Sequence, residues 1–313
     1  SNQLSYVRHF IDKIKVLLIK IIGYTKFMKV SKKIINLETE SAFAILAKAT
    51  KLASEGKDII NLGIGQPDFP TPRNIQEAAI KAIKDGHHGY TPSNGILSLR
   101  EAVSEQIYND YNVNINADQI LITPGGKPTI FYSSLILGGE GNEIIYPDPG
   151  FPIYRSMIKF SGAKGIPLEL SEEDNFEINI NKLEKLITKN TSLIIINNPN
   201  NPTGSFMKQK KIDGIIKMLE KYPDIFIMSD EIYSKIIFND QEMPSFINYE
   251  SIRDRLIILE GWSKTFCMTG WRLGWSMWPK KLYEHANKLC INDHSCPNII
   301  SQYAGLEALK GPK

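Results

Sequence analysis

A lysine framed by aromatic residues lies in Gly261-Trp262-Ser263-Lys264-Thr265-Phe266, and eight residues on comes Arg272, in Thr269-Gly270-Trp271-Arg272-Leu273-Gly274-Trp275. Aromatic surroundings favour the neutral amine, the form in which lysine attacks a carbonyl to make a Schiff base. Arg272 offers a planar fork matched to phosphate. The same pair would also suit a lysine stretched along apolar surface beside a solvated arginine. Upstream, Ser229-Asp230-Glu231-Ile232-Tyr233 follows an apolar run, so Asp230 emerges from a buried strand as a carboxylate in need of a cation or donor. It could cap a helix, complete an ion pair, or hold a proton on a heteroaromatic ring nitrogen. Asn197-Asn198-Pro199-Asn200-Asn201-Pro202-Thr203-Gly204 is turn-forming, and its two Asn-Pro pairs suit a rigid loop that points an amide at a ligand. Pro124-Gly125-Gly126-Lys127 ends another apolar run and opens a helical pattern, where backbone N–H groups can approach an anion. It is not a Walker A loop, since Pro128 follows Lys127 and the earlier glycine is missing. Gly63-Ile64-Gly65 likewise lacks the third glycine of a dinucleotide fingerprint.

Short apolar runs at 59–62, 120–123, 143–146, 193–197, 225–228 and 256–259 predict buried strands. Amphipathic stretches between them predict helices, including 96–111 and 208–221. Another opens on the capping-box-like pair Asn74 and Glu77 and ends at Gly86. Such alternation predicts an α/β fold with a mostly parallel sheet. Ligands bind at the carboxyl ends of the strands in sheets of that kind, where the segments above all fall.

The whole chain has 313 residues, room for one large or two modest domains. Lys+Arg 37 against Asp+Glu 34 leaves +3, too little to argue for nucleic acid. Residues 1–27 carry Arg8, Lys13, Lys15, Lys20 and Lys26 against Asp12, a local +4, and precede the first methionine, Met28. They read as a basic extension outside the fold, whether native, a presequence or sequence ahead of the true start. The apolar run from Val16 to Ile22 is broken by Lys20 and is shorter than the ~20 residues of a spanning helix, so no membrane partner is expected. Cys267, Cys290 and Cys296 make no even disulfide framework, which favours a reducing, cytoplasmic setting. Cys290, His294 and Cys296 fit no zinc spacing, and no metal site is expected.

Taken in order, NLGIGQPDFPTP (61–72), GYTPSNGILSLREAV (89–103), PGGKP (124–128), YPDPGFPIY (146–154), NNPNNPTG (197–204), SDEIY (229–233) and SKTFCMTGWRLGW (263–275) resemble the fold-type-I, pyridoxal-phosphate-dependent aminotransferases of the aspartate aminotransferase family, class I/II. The resemblance implies a seven-stranded, mostly parallel large domain over 73–313, with 28–72 contributing to a small domain and a dimer arm. It implies a cofactor, pyridoxal 5′-phosphate, bound through Lys264 as an internal aldimine, with Lys264 then serving as general base and acid. Asp230 would pair with the pyridinium nitrogen, and Tyr233 and Asn201 would reach the phenolic oxygen. The backbone of Gly126 and Lys127, the Ser263 hydroxyl and Arg272 would hold the phosphate, joined by Tyr90 from the partner subunit of a homodimer. Phe151 would stack on the pyridine, and Gly65 and Asn201 would face the substrate carboxylate.

The implied reaction is ping-pong transamination between an L-amino acid and a 2-oxo acid, 2-oxoglutarate by family analogy. A carbon–sulfur lyase on the same fold and a non-catalytic regulatory relative are the alternatives. Tyr233 in place of histidine and the Thr-Gly-Trp-Arg run favour transamination over the lyase, and 27 residues before Met28 are too few for a winged helix. Phe151 stands where aspartate-specific members usually carry Trp, Gly261 replaces a hydroxyl residue, and Pro128 is uncommon after Gly-Gly-Lys. The family's small domain, with the arginine for the substrate α-carboxylate, is expected beyond Lys313, so the chain as given is not expected to be fully active.

Overall fold

The computed structural model describes residues 30–35, 37–38, 41–238 and 243–312, and the extension expected over 1–27 lies outside them. Contacts divide the chain into Ser1–Leu37 and Glu38–Lys313. In the first unit the described part is a short helix, Lys32–Ile35, with Ile34 and Ile35 exposed.

The second unit is built on seven strands: β1 (Ile120–Thr123), β2 (Glu143–Asp148), β3 (Lys164–Glu169), β4 (Thr191–Asn197), β5 (Phe226–Asp230), β6 (Leu256–Gly261) and β7 (Gly274–Met277). Their order is β1-β7-β6-β5-β4-β2-β3. β7 runs antiparallel to both β1 and β6, and every other neighbouring pair is parallel. Alternate residues of the inner strands enter two cores: Ile194, Ile196, Ile227 and Ile258 on one face, Leu193, Ile195, Met228 and Leu259 on the other. Continuous apolar strands are what burial on both faces demands. The carboxyl ends of six strands therefore share one edge of the sheet. Because β7 is reversed, its beginning, immediately after Arg272, joins them there.

Two strands escape sequence reading. β3 carries Gly165 and Pro167, tolerated because β3 is an edge strand. β7 is four residues inside the tryptophan-rich segment. Conversely, the strand expected at 59–62 does not form: that stretch has no sheet partner, and Ile60 and Leu62 stand exposed. An apolar run is a strand only where the fold covers it, and nothing among the described residues pairs with this one.

The helix Arg73–Lys84 starts without the expected capping box. Pro72 holds the cap position, Asn74 Nδ2 donates to Glu307 Oε1 at 3.0 Å, and Glu77 pairs with Arg73 at 2.7 Å. The helices Leu97–Tyr111 and Gln209–Leu219 fall where the periodicity puts them, each slightly shorter. At the start of the second unit, the Glu38 backbone oxygen accepts from Ser156 Oγ at 2.8 Å. The Arg155 guanidinium, with Lys159, holds the Glu38 carboxyl below its usual range.

Candidate active site

Each strand end delivers one part of the site. After β1, Gly125 adopts φ +84° and the helix Lys127–Leu137 begins directly behind Gly126. Pro128 falls in the first turn of that helix, where a missing N–H removes no intrahelical bond, so the uncommon proline leaves the turn's N–H groups in place. Arg272 is itself left-handed (φ 53°), and its guanidinium lies across the turn. Nη1 donates to Thr269 O at 2.8 Å and Nη2 to Pro124 O at 3.4 Å. No carboxylate among the described residues pairs with it.

A Cβ on Gly125 would fall 2.3 Å from Arg272 Nη2, and one on Gly274 would fall 2.5 Å from the Gly125 carbonyl carbon. Gly261 and Gly274 are register partners in β6 and β7, and a Cβ on Gly261 would meet Gly274 Cα at 2.8 Å. The unexpected Gly261 thus has a packing cause: it lets β6 approach β7 closely, which brings the Gly125–Gly126 turn up to the end of β6, just ahead of Lys264.

Beyond β6, the one-turn helix Trp262–Thr265 buries Ser263 and leaves Lys264 half-buried. Trp262 does not shield the lysine as its position in sequence suggested. It faces the core and donates from Nε1 to Gly305 O at 3.0 Å. The amine instead donates to Gly65 O at 2.6 Å and lies 5.9 Å from the centre of the Tyr233 ring. The loop bearing Gly65 is tied in by Thr71, whose Oγ1 donates to Cys267 O at 2.7 Å and accepts from Trp271 Nε1 at 3.0 Å. Opposite, Asn201 Nδ2 donates to the Tyr233 hydroxyl at 3.4 Å. The Asn-rich loop is fixed by Asn197, which accepts from Asn201 N at 2.7 Å and donates to Asp230 O at 3.0 Å. A cavity of about 450 Å³ opens beside Asn201 and Tyr233, walled by Phe206, Ile236 and Phe238. That is within the range of about 300–1,000 Å³ usual for small-molecule sites.

Asp230 is the last residue of β5, and among the described residues it neither caps a helix nor completes an ion pair. Its Oδ2 accepts from the Tyr154 hydroxyl at 2.6 Å and its Oδ1 from Ile232 N at 3.3 Å. Burial pushes this carboxyl up to about 6, against the pull of the Tyr154 and Ile232 donors. A buried acid with two donors and no cation among the described residues has room for a proton-bearing ligand nitrogen. Phe151, half-buried after β2, meets Tyr154 edge-on at 5.8 Å, and Lys127 Nζ lies 5.7 Å over the Phe151 ring. Tyr90 is not gathered in by its own chain: it is 93% exposed.

Two acids behind the site, which nothing in the sequence marks out, are buried. Glu231 accepts from Ser229 Oγ at 2.8 Å and Phe246 N at 3.2 Å, and Glu260 from Ser234 Oγ at 2.5 Å. Burial pushes both carboxyls up to about 7 from an ordinary 4.5. Between those values the native state keeps protons that the unfolded chain has released, so stability falls as pH rises from about 4.5 through about 7. Each raised group contributes to this slope by up to about 1.4 kcal/mol per pH unit. Glu260→Gln is therefore expected to shrink the drop in apoprotein Tm between pH 5.5 and 8.0 by several degrees. An unchanged drop would show that Glu260 ionises freely in the fold.

The parts suit one kind of ligand: a phosphate over the Gly125–Gly126 turn and Arg272, a protonated ring nitrogen at Asp230, and a carbonyl within reach of Lys264. Comparison with known proteins agrees. Residues 57–313 match the family model for aminotransferase class I and II. A probable aspartate/prephenate aminotransferase of Rickettsia felis is 35% identical over 285 residues, 91% of this chain and 70% of that protein. The aspartate aminotransferase of Bacillus subtilis is 33% identical over 91% of this chain and 72% of its own length. The structure of Thermus thermophilus aspartate aminotransferase with maleate superposes with a TM-score of 0.86 at 28% identity, covering 91% of this chain and 73% of that one. The chain belongs to the class I and II aminotransferases, enzymes that work with pyridoxal 5′-phosphate.

Proposed function

We propose that the chain catalyses ping-pong transamination between an L-amino acid and 2-oxoglutarate, with Lys264 as the group that carries protons. The observation that supports this reading best is the convergence of Lys264 Nζ, the Gly65 carbonyl, Tyr233 and Asn201 at one strand edge. When bound, pyridoxal phosphate supplies an aldehyde that condenses with amines and a ring that accepts the electron pair of a Cα bond. Lys264 would take the proton from the substrate Cα and deliver one to the cofactor's C4′, first as base and then as acid. Asp230 holds the proton on the ring nitrogen. The Tyr233 hydroxyl and the Asn201 amide orient the phenolic oxygen, and Phe151 covers one ring face. The Gly126 and Lys127 N–H groups, Ser263 and Arg272 grip the phosphate, and Gly65 and Asn201 face the substrate carboxylate.

The working unit in this reading is a cytoplasmic homodimer in which Tyr90 reaches the partner's phosphate. The exposed apolar side chains of Phe43, Ile60, Leu62 and Phe69 are support for a covering partner. Residues 28–72 would then form the arm and part of a small domain, and 73–313 the cofactor-binding domain. The test is the half-reaction. The cofactor-loaded protein mixed with an L-amino acid alone is expected to release one equivalent of 2-oxo acid per subunit and stop. Added 2-oxoglutarate should then restart turnover. Continuous release of ammonia without an acceptor would instead indicate lyase chemistry.

A further inference from the structure

Tyr154 was not singled out by its sequence, although it ends the motif Tyr146-Pro147-Asp148-Pro149-Gly150-Phe151-Pro152-Ile153-Tyr154. Its side chain is fully buried, so its hydroxyl must find a partner inside the protein. That partner is Asp230 Oδ2 at 2.6 Å, the shorter of the two hydrogen bonds to this carboxyl. A hydroxyl donating to a carboxylate is among the stronger hydrogen bonds, and with Ile232 N on Oδ1 it fixes the plane of the group. Tyr154 also lies three residues after Phe151, at the start of the helix Ile153–Ser161, and the two rings meet at 85°. One side chain thus touches both residues read above as contacts of the ring.

We propose that Tyr154 is a positioning residue for the cofactor: its hydroxyl aims Asp230 at the ring nitrogen while its ring braces Phe151. The proposal rests on the reading of Asp230 and Phe151 given above. Without the hydroxyl, Oδ2 stands in a dry site with no donor, and the proton shared with the ring nitrogen passes to the carboxylate. No proton is gained or lost in that exchange. It changes which atom carries the charge.

The test uses the protein loaded with ¹⁵N-labelled pyridoxal phosphate, read by the nitrogen chemical shift and by cofactor affinity. Tyr154→Phe is expected to move the shift toward the unprotonated value and to weaken affinity about tenfold, the usual scale for losing a hydrogen bond to a charged group. Asp230→Asn should move the shift further in the same direction. If Asp230→Asn moves it and Tyr154→Phe changes neither shift nor affinity, the role of Tyr154 is overturned and that of Asp230 stands. If neither substitution moves the shift, Asp230 does not pair with the nitrogen and both readings fall. Should Tyr154→Phe not fold, Tyr154→His keeps a donor at the same place. A protonated nitrogen is then expected, and an unprotonated one contradicts the proposal.

Discussion

Lys264→Ala is expected to lower transamination turnover by about 10⁴-fold or more. General acid–base groups contribute about 10²–10⁴-fold, and this amine also serves as the nucleophile that holds the cofactor. Among the described residues, the groups beside it offer no substitute. Lys264 Nζ lies between the Gly65 carbonyl and the Tyr233 ring, and the other groups gathered there are an amide and a phenol. Lys264→Arg should be almost as damaging, since a guanidinium stays protonated and cannot act as the base. Steady-state rates on the two variants check this, with added ethylamine expected to restore part of the loss in Lys264→Ala and none in Lys264→Arg. Activity within tenfold of the parent in Lys264→Ala would remove the lysine from the mechanism.

Asp230→Asn should lower turnover by about 10²–10³-fold, the scale for removing one preorganised electrostatic partner from a reacting centre. The apoprotein is expected to move the other way. Burial lifts the Asp230 carboxyl from 3.8 to about 6, so the folded chain keeps a proton that the unfolded chain gives up. Stability is therefore lost as pH rises across that window, and at pH 8 the full cost is present. Two pH units correspond to roughly 3 kcal/mol as an upper bound. Asp230→Asn should accordingly raise the apoprotein's Tm at pH 8 while leaving it unchanged near pH 3.5. A variant that is both inactive and less stable at pH 8 would mean that Asp230 is held by contacts beyond Tyr154 and Ile232.

Much of the site is legible in sequence because it lies where strands stop. Apolar runs that stop at Asn197 and just before Asp230 and Gly261 announce their own carboxyl ends, and in a parallel sheet those ends must share an edge. What eludes sequence reading depends on packing between distant segments. Tyr154 and Asp230 are 76 residues apart and meet because the helix Ile153–Ser161, packed against β2 and β3, brings the Tyr154 hydroxyl to the end of β5. Trp262 neighbours Lys264 in sequence but turns to the opposite face, so aromatic neighbours along the chain were a poor guide to the lysine's surroundings. The role of Arg272 depends on a reversed strand whose four residues carry no run long enough to notice. Glu231 and Glu260 carry no mark in sequence of the burial that Ser245, Phe246 and Ser234 provide.

The central claim is that Lys264 is the amine that binds pyridoxal phosphate, and borohydride trapping tests it most directly. The protein is incubated with the cofactor, reduced, digested and mapped by mass spectrometry. A phosphopyridoxyl group on the peptide containing Ser263-Lys264-Thr265, at one equivalent per chain, is the expected result. A folded chain that carries the label on another lysine, or carries none at saturating cofactor, would contradict the account.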